Sequence, residues 1–409
     1  MRSENGINAW LVEDHTVPII ASRFVFDGGT TQDPVGKEGL ASLMTGLFAE
    51  GAGDLDSDAF QVKLEDAGAE MSFKAQRDRI YGSMRMLSEQ QNAAFDLLRL
   101  AVNRPRFGQE PIDRIRAQVL SGIIANERDP ESIAQRKWLR AIYGTHPYSR
   151  PGEGTKKSLA GITPADLGAF HKAIFARDGL HVAVVGDIDA KTLSKKLDQL
   201  FGDLPQKQTL APVADVDLKL GQQVEVNYDL PQTLLQLAYP GVKRSAPDFY
   251  AAELLNEILG GSPVTSRLWE EVREKRGWTY GAYSSLVDHQ HSNALVVTTA
   301  TRSDRAAGTL SLVRKVVKQM AEEGPTESEL EASKKYLIGA YAIRNLGSSS
   351  SSAATLVEWQ LDKLGIDYIQ RRADLIDQVT LDQVKAAAKK LLSAEPAIMV
   401  VGPPLGGKG

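Results

Sequence analysis

The sequence predicts an α+β fold made of two tandem halves, each a mostly antiparallel sheet with helices packed on one side. Three observations carry this. At 409 residues the chain is too long for one hydrophobic core. Short alternating apolar runs, the mark of strands, are interspersed with runs at helical spacing in both halves. An early pattern also returns late: Thr163-Pro164-Ala165-Asp166 leading to Val182-Ala183-Val184-Val185-Gly186 is echoed by Thr380-Leu381-Asp382 leading to Ile398-Met399-Val400-Val401-Gly402. The two threonine-to-glycine separations are 23 and 22 residues, a duplication signal. The expected division is an N-terminal half at 1–203, a linker at 204–220 containing Pro205 and Pro212, and a C-terminal half at 221–409.

The elements follow in order. Runs 7–12 and 19–26 read as strands around the polar Glu13-Asp14-His15, which suggests a hairpin. Residues 39–48 place Leu40, Leu43, Met44 and Leu47 on one helical face. Asp58 is the expected cap of a helix at 60–67, and 80–87 returns as a strand. Helices are expected at 92–102 and 110–125, and after Thr163, whose hydroxyl caps the next one. In the second half, strands at 224–228 and 234–239 precede a helix at 248–259 and a Gly260-Gly261 break. The serine run 348–352 reads as a loop into a helix starting at Ala353.

Composition excludes several classes of function. With 42% hydrophobic and 24% charged residues the chain is ordinary globular material, and a net charge of -4 without a basic stripe argues against nucleic-acid binding. The absence of cysteine rules out disulfides, thiolate zinc sites and cysteine nucleophiles. No apolar run is long enough to cross a bilayer. Because strand-like alternation begins almost at Met1, an export segment is expected upstream of it.

Chemistry-bearing patterns are few. No two of the six histidines share one-turn helical spacing. Asp54, Asp56, Asp58 and Glu65 resemble a calcium loop, but the sharp-turn glycine position is Ala59, so a helix-capping loop is the better reading. Gly51-Ala52-Gly53 and Gly260-Gly261 lack the residues of a phosphate cradle. The informative stretch is 270–280, Glu-Glu-Val-Arg-Glu-Lys-Arg-Gly-Trp-Thr-Tyr, where a helix hands over to a strand with Tyr280, Ala282, Ser284 and Leu286 in alternation. Arg273 offers a fork of donors and Tyr280 a phenol, a pair suited to a peptide carbonyl or carboxylate. An arginine on a charged helix is ordinarily solvated, and a strand tyrosine ordinarily packs.

The order of elements and several strings resemble the pitrilysin/insulinase family of zinc metallopeptidases, especially its small bacterial members and mitochondrial processing peptidase subunits. Gly39-Leu40-Ala41 is similar to the start of the family's zinc helix, Gly-Leu-Ala-His-x-x-Glu-His; the His, Glu and His positions fall on Ser42, Thr45 and Gly46. The string 119–123 is similar to the helix that supplies a further glutamate ligand, and that position is Gly122. His146-Pro147-Tyr148-Ser149-Arg150-Pro151 with Gly154-Thr155 resembles a structural turn of the family, and Ser266-Arg267-Leu268-Trp269 through Tyr280 resembles its Arg/Tyr segment.

The resemblance implies that Arg273 and Tyr280 bind substrate, with Tyr280 donating in trans to the oxyanion. It also implies that Ser42, Thr45, Gly46 and Gly122 hold no metal, because hydroxyls and bare backbone cannot replace imidazole and carboxylate. The expected function is a non-catalytic subunit of a heterodimeric zinc peptidase: no cofactor in this chain, zinc in a homologous partner, and peptides or unfolded polypeptides as substrate. A structural scaffold and a peptide-binding module are the alternatives. The Ala9-Trp10-Leu11-Val12-Glu13-Asp14-His15 string, similar to one with which often-exported bacterial relatives begin, implies the bacterial periplasm, with the cytoplasm as alternative.

Overall fold

The computed structural model describes residues 1–405. It contains two five-stranded sheets. The first joins β1 (Trp10–Glu13), β2 (Ile19–Asp27), β3 (Glu70–Ala75), β4 (Arg79–Leu87) and β5 (Leu180–Gly186) in the order β1-β5-β2-β4-β3. The second joins β6 (Gln223–Asn227), β7 (Gln232–Pro240), β8 (Thr279–His289), β9 (Ser292–Arg302) and β10 (Ala397–Gly402) in the order β6-β10-β7-β9-β8. Each order is the other shifted by five strands, so the duplication read from the threonine and glycine spacing extends to the whole sheet. In both sheets the outer pair on one side, β1 with β5 and β6 with β10, is parallel; every other pair is antiparallel.

The expected hairpin between the first two strands does not form. β5 lies between β1 and β2, because its run Val182–Val185 is buried on both faces and takes a central place with hydrogen-bonding partners on both edges. Gly186 makes the crossing possible: it has φ +135°, and a Cβ there would lie 2.0 Å from the Ile19 carbonyl oxygen.

The chain separates into two compact units, and each draws on both sequence halves. One comprises 1–124, 151–212 and 341–368; the other comprises 125–150, 213–340 and 369–409. The sheets respect the halves, whereas two helices do not. In the first unit, the main helical layer packs on the face bearing Ile20, Phe24, Phe26, Val182 and Val184. The opposite face of β2 and β5 carries the single helix Ser349–Leu361 from the second half, whose Gln360 donates to the Val182 carbonyl at 2.8 Å. In the second unit, Leu235, Leu237, Val297, Ile398 and Val400 face the main layer, while Val224, Val226, Met399 and Val401 face Trp138 and Ile142 of the helix Pro130–Tyr143 from the first half. The segment 204–221 has no regular structure but is tied down: Gln208 donates to the Asp27 and Ile174 carbonyls in the first unit, and Val216 and Lys219 donate to the His291 and Ile142 carbonyls in the second.

Helix ends follow side-chain capping closely. Thr163 and Thr380 each close a capping box. Two expectations are corrected. Asp56, not Asp58, caps the helix Ser57–Asp66, accepting from Ala59 N at 2.9 Å. The serine run is the first turn of the helix Ser349–Leu361 rather than a loop, because Ser348 and Ser351 exchange capping hydrogen bonds. Residues Glu70–Ala75 form a strand not expected from the sequence, β3, which lies at the sheet edge.

Opposite Phe24 in the β2–β4 register stands Gly82, and a Cβ there would lie 2.1 Å from the Phe24 ring. That ring is enclosed by Phe73 and Phe201, each 5.6 Å away centre to centre, so it has nowhere to move. Gly82→Ala is expected to cost about 1–3 kcal/mol, seen as a lower urea midpoint at unchanged slope. A second prediction concerns pH. Hydrogen bonds from Lys37 and Thr163 lower the Asp166 carboxyl to about 2. Its stabilising share is therefore complete above the ordinary carboxylate value of 3.8 and is lost as pH falls toward 2. In Lys37→Met, the Asp166 carboxyl carbon should titrate nearer its ordinary value by NMR.

Candidate substrate-holding site

The second unit builds its Arg/Tyr segment on two wide helical turns. The helix Phe249–Asn256 runs into a π turn at Glu257–Gly261, and a second π turn covers Trp269–Glu274. Such turns recur at functional sites because an extra residue per turn re-aims side chains. Gly260 allows the first turn to lie against β8, since a Cβ there would approach the Ser284 backbone nitrogen to 2.5 Å. Leu268 and Val272 are fully buried and anchor the second turn. Arg267 fixes its start with a fork onto Glu329, at 2.7 and 2.8 Å, and a bond to the Gly324 carbonyl.

Charge on this turn is largely self-compensated. Lys275 pairs with Glu270 and Glu271, and Arg276 pairs with Glu271. Hydrogen bonds from Lys275 and then Arg276 hold the Glu271 carboxyl below its usual range. Arg273 stands apart, with no carboxylate partner among the described residues. Its Nε donates to the Tyr280 carbonyl oxygen at 2.9 Å, and its guanidinium lies over the Trp269 ring at 4.4 Å. One edge of the fork is thus used to hold the arginine in place, and the terminal nitrogens remain for another acceptor.

Tyr280 is 83% exposed, and its hydroxyl has no partner among the described residues. The alternation with Ala282, Ser284 and Leu286 predicted from sequence does not extend to it. Thr279 pairs with Thr301 and Ala282 with Thr299, so three steps on β8 match two on β9. The extra residue is a β-bulge, and it releases Tyr280 from the face on which Ala282 is buried. Thr279 Oγ1 secures the bulge: it lies 2.8 and 2.7 Å from the Gly281 and Ala300 carbonyl oxygens, to one of which it donates, and accepts from Gly281 N at 3.0 Å. The structure thus joins Arg273 and Tyr280 through one backbone hydrogen bond and leaves both functional groups accessible.

The other four positions lie in the first unit. Buried Asp33 starts the helix Leu40–Leu47 by accepting from Gly39 N at 2.8 Å and Ala41 N at 2.9 Å. The Gly154-Thr155 end of the structural turn supports it, Ser158 Oγ donating to the Glu38 carbonyl. Ser42 Oγ donates to the Gly152 carbonyl at 2.7 Å, and Thr45 Oγ1 to the Ser42 carbonyl at 3.0 Å. Both hydroxyls are satisfied by backbone. Gly46 faces the helix Gln109–Asn126, where a Cβ would lie 3.0 Å from Ile115, and a Cβ at Gly122 on that helix would meet nothing within 4 Å. Among the described residues no three His, Asp or Glu side chains form a metal-holding group. The hydroxyls and bare backbone at these four positions do not fit zinc.

The comparisons with known proteins bear on both units. Residues 9–156 match the family model described as Insulinase (Peptidase family M16), and 161–337 match the model described as Peptidase M16 inactive domain. A crystal structure of a peptidase M16 inactive domain from Pseudomonas fluorescens aligns with a TM-score of 0.92 at 31% identity, covering 100% of this chain and 99% of that one. This chain belongs to the insulinase family. Among relatives of this insulinase-family chain, an uncharacterized zinc protease of Mycobacterium leprae is 30% identical over 83% of this chain and 77% of its own length. A protein of Helicobacter pylori named non-peptidase homolog YmxG is 26% identical over 91% of this chain and 86% of its own length.

Sequence reasoning did not find the Trp269 platform under Arg273, the Arg267–Glu329 clamp or the bulge. Trp269 had a signal available: it lies four residues before Arg273, on the same helical face. Arg273→Lys, which keeps the charge but loses the fork, should cost about 1 kcal/mol in urea unfolding and shift Trp emission. Tyr280→Phe should leave stability within about 0.5 kcal/mol, as expected for an exposed side chain.

Proposed function

We propose that this chain is the non-catalytic subunit of a two-chain zinc peptidase, contributing substrate-binding groups to a homologous partner that carries the zinc. The observation that carries this reading is the contrast between the two units. The positions where the family places its metal ligands hold Ser42, Thr45, Gly46 and Gly122, while the terminal nitrogens of Arg273 and the hydroxyl of Tyr280 have no partner among the described residues. Membership in the insulinase family and its inactive-domain match support it.

In this reading the Arg273 terminal nitrogens bind a substrate backbone carbonyl or a terminal carboxylate, since the fork is pre-set by Trp269 and the Tyr280 carbonyl. The Tyr280 hydroxyl donates to the oxyanion that forms when water adds to the scissile carbonyl. Metal, attacking water and general base come from the partner. Substrates are peptides or unfolded polypeptides, and the setting is the periplasm, which rests on the N-terminal string alone. No helix among the described residues is long and apolar enough to cross a membrane.

The test is zinc-dependent peptide hydrolysis by this chain, by the zinc-bearing homologue from the same genome, and by the two mixed. Activity is expected chiefly in the mixture. There, Tyr280→Phe should reduce turnover by about 10²–10³-fold, the usual effect of removing an oxyanion donor, and Arg273→Ala should raise KM. Vigorous hydrolysis by this chain alone would sink the proposal. Full activity of the mixture with both substitutions would assign this chain a scaffolding role instead.

A further inference from the structure

A second polar site lies entirely within the first unit, on the sheet face opposite its main core. There a cavity of about 450 Å³ is lined by Arg23 of β2, Glu70 and Ser72 of β3, Ser83 and Arg85 of β4, and Ser350 of the helix Ser349–Leu361. Strand register assembles it. Arg23 pairs with Ser83 and Ser83 with Ser72, giving one cross-strand row, and Arg85 pairs with Glu70 in the next. The helix packs chiefly over β2 and β5 and walls the cavity on one side through Ser350.

Most of the lining is internally satisfied. Arg85 and Glu70 form an ion pair at 2.7 Å, and the Ser72 and Ser83 hydroxyls hydrogen-bond at 2.8 Å. Arg23 is the exception. Its guanidinium lies over the Tyr81 ring at 4.8 Å, and no carboxylate among the described residues comes within ion-pair distance. Glu358 attracts it from farther away and does not line the cavity. Burial lowers the Arg23 pKa, yet a guanidinium stays charged at neutral pH. With its nearest countercharge beyond ion-pair distance, a half-buried cation keeps a desolvation cost that a bound anion offsets. The ring holds one guanidinium face, leaving the N–H edge free for the two oxygens of a carboxylate. Glu70 disfavours a dianion, so the fit is to a single negative charge.

We propose that this cavity is a carboxylate subsite in which Arg23 binds either a peptide's free C-terminus or an acidic side chain, with serine hydroxyls meeting the adjoining amide. The site is independent of pairing with a zinc-bearing chain, because every lining residue belongs to this unit.

The backbone amides of Ser72 and Ser83, in the cavity wall, serve as reporters. The full chain, labelled with ¹⁵N, is titrated with three probes: N-acetylalanine for a chain end, N-acetylaspartate α-methylamide for a side chain, and N-acetylalanine amide as neutral control. Saturable shifts of the Ser72 and Ser83 amide resonances are expected with at least one carboxylate and not with the neutral amide; the tighter carboxylate identifies the source. Arg23→Met should weaken binding about tenfold or more, and Arg23→Lys less, since it keeps the charge and loses the fork. The assignment is overturned by equal response to the neutral amide, by no response to either carboxylate, or by unchanged affinity in Arg23→Met. If that variant misfolds, the acid-against-amide comparison on the unaltered chain still decides.

Discussion

The arrangement depends on the double burial of two strands, β5 and β10. Val182–Val185 and Ile398–Val401 are apolar on both faces, so neither sheet can leave its second face in water. Each half has a helical layer for one face only, and the second face is covered by a helix from the other half: Ser349–Leu361 over β2 and β5, Pro130–Tyr143 over β6 and β10. The compact units are consequently discontinuous in sequence. A cut at the proline-containing segment 204–220 would strip each sheet of one cover.

The two units have used the same framework differently. In the first, Ser42 and Thr45 turn their hydroxyls to backbone carbonyls, so the helix Leu40–Leu47 completes its own packing. In the second, neighbouring charges neutralise one another and leave Arg273 and Tyr280 outside that network. A backbone carbonyl and an indole ring hold the arginine without a carboxylate to quench it, the condition under which a guanidinium remains available to a ligand.

Local features were legible because their causes are local. The apolar face of Leu40–Leu47, the Thr163 and Thr380 caps, and the strand containing Phe24 depend on side chains a few residues apart. Strand partners were not. The insertion of β5 between β1 and β2 is decided by residues about 160 positions away, whereas the edge strand β3, Glu-Met-Ser-Phe-Lys-Ala, alternates polar and apolar residues strictly and was a local signal passed over. The bulge beside Tyr280 is likewise a property of the pairing with β9, so alternation within 280–286 placed the tyrosine on the wrong side. The site residues themselves came from family resemblance; charge and spacing offered only an arginine and a tyrosine near a helix-to-strand junction.

The exchanged helices also set an order of events during synthesis. The first sheet has all five strands once Gly186 has been made, yet the helix that covers its second face begins at Ser349. At ribosomal speeds of about 5–20 residues per second, the outer face of β5 waits several seconds or more for its cover. During that interval the nascent first half exposes Ala183, Val185 and the polar wall around Arg23 to whatever the cell presents. A surface formed by the first half of the chain is therefore covered only after most of the chain has been made.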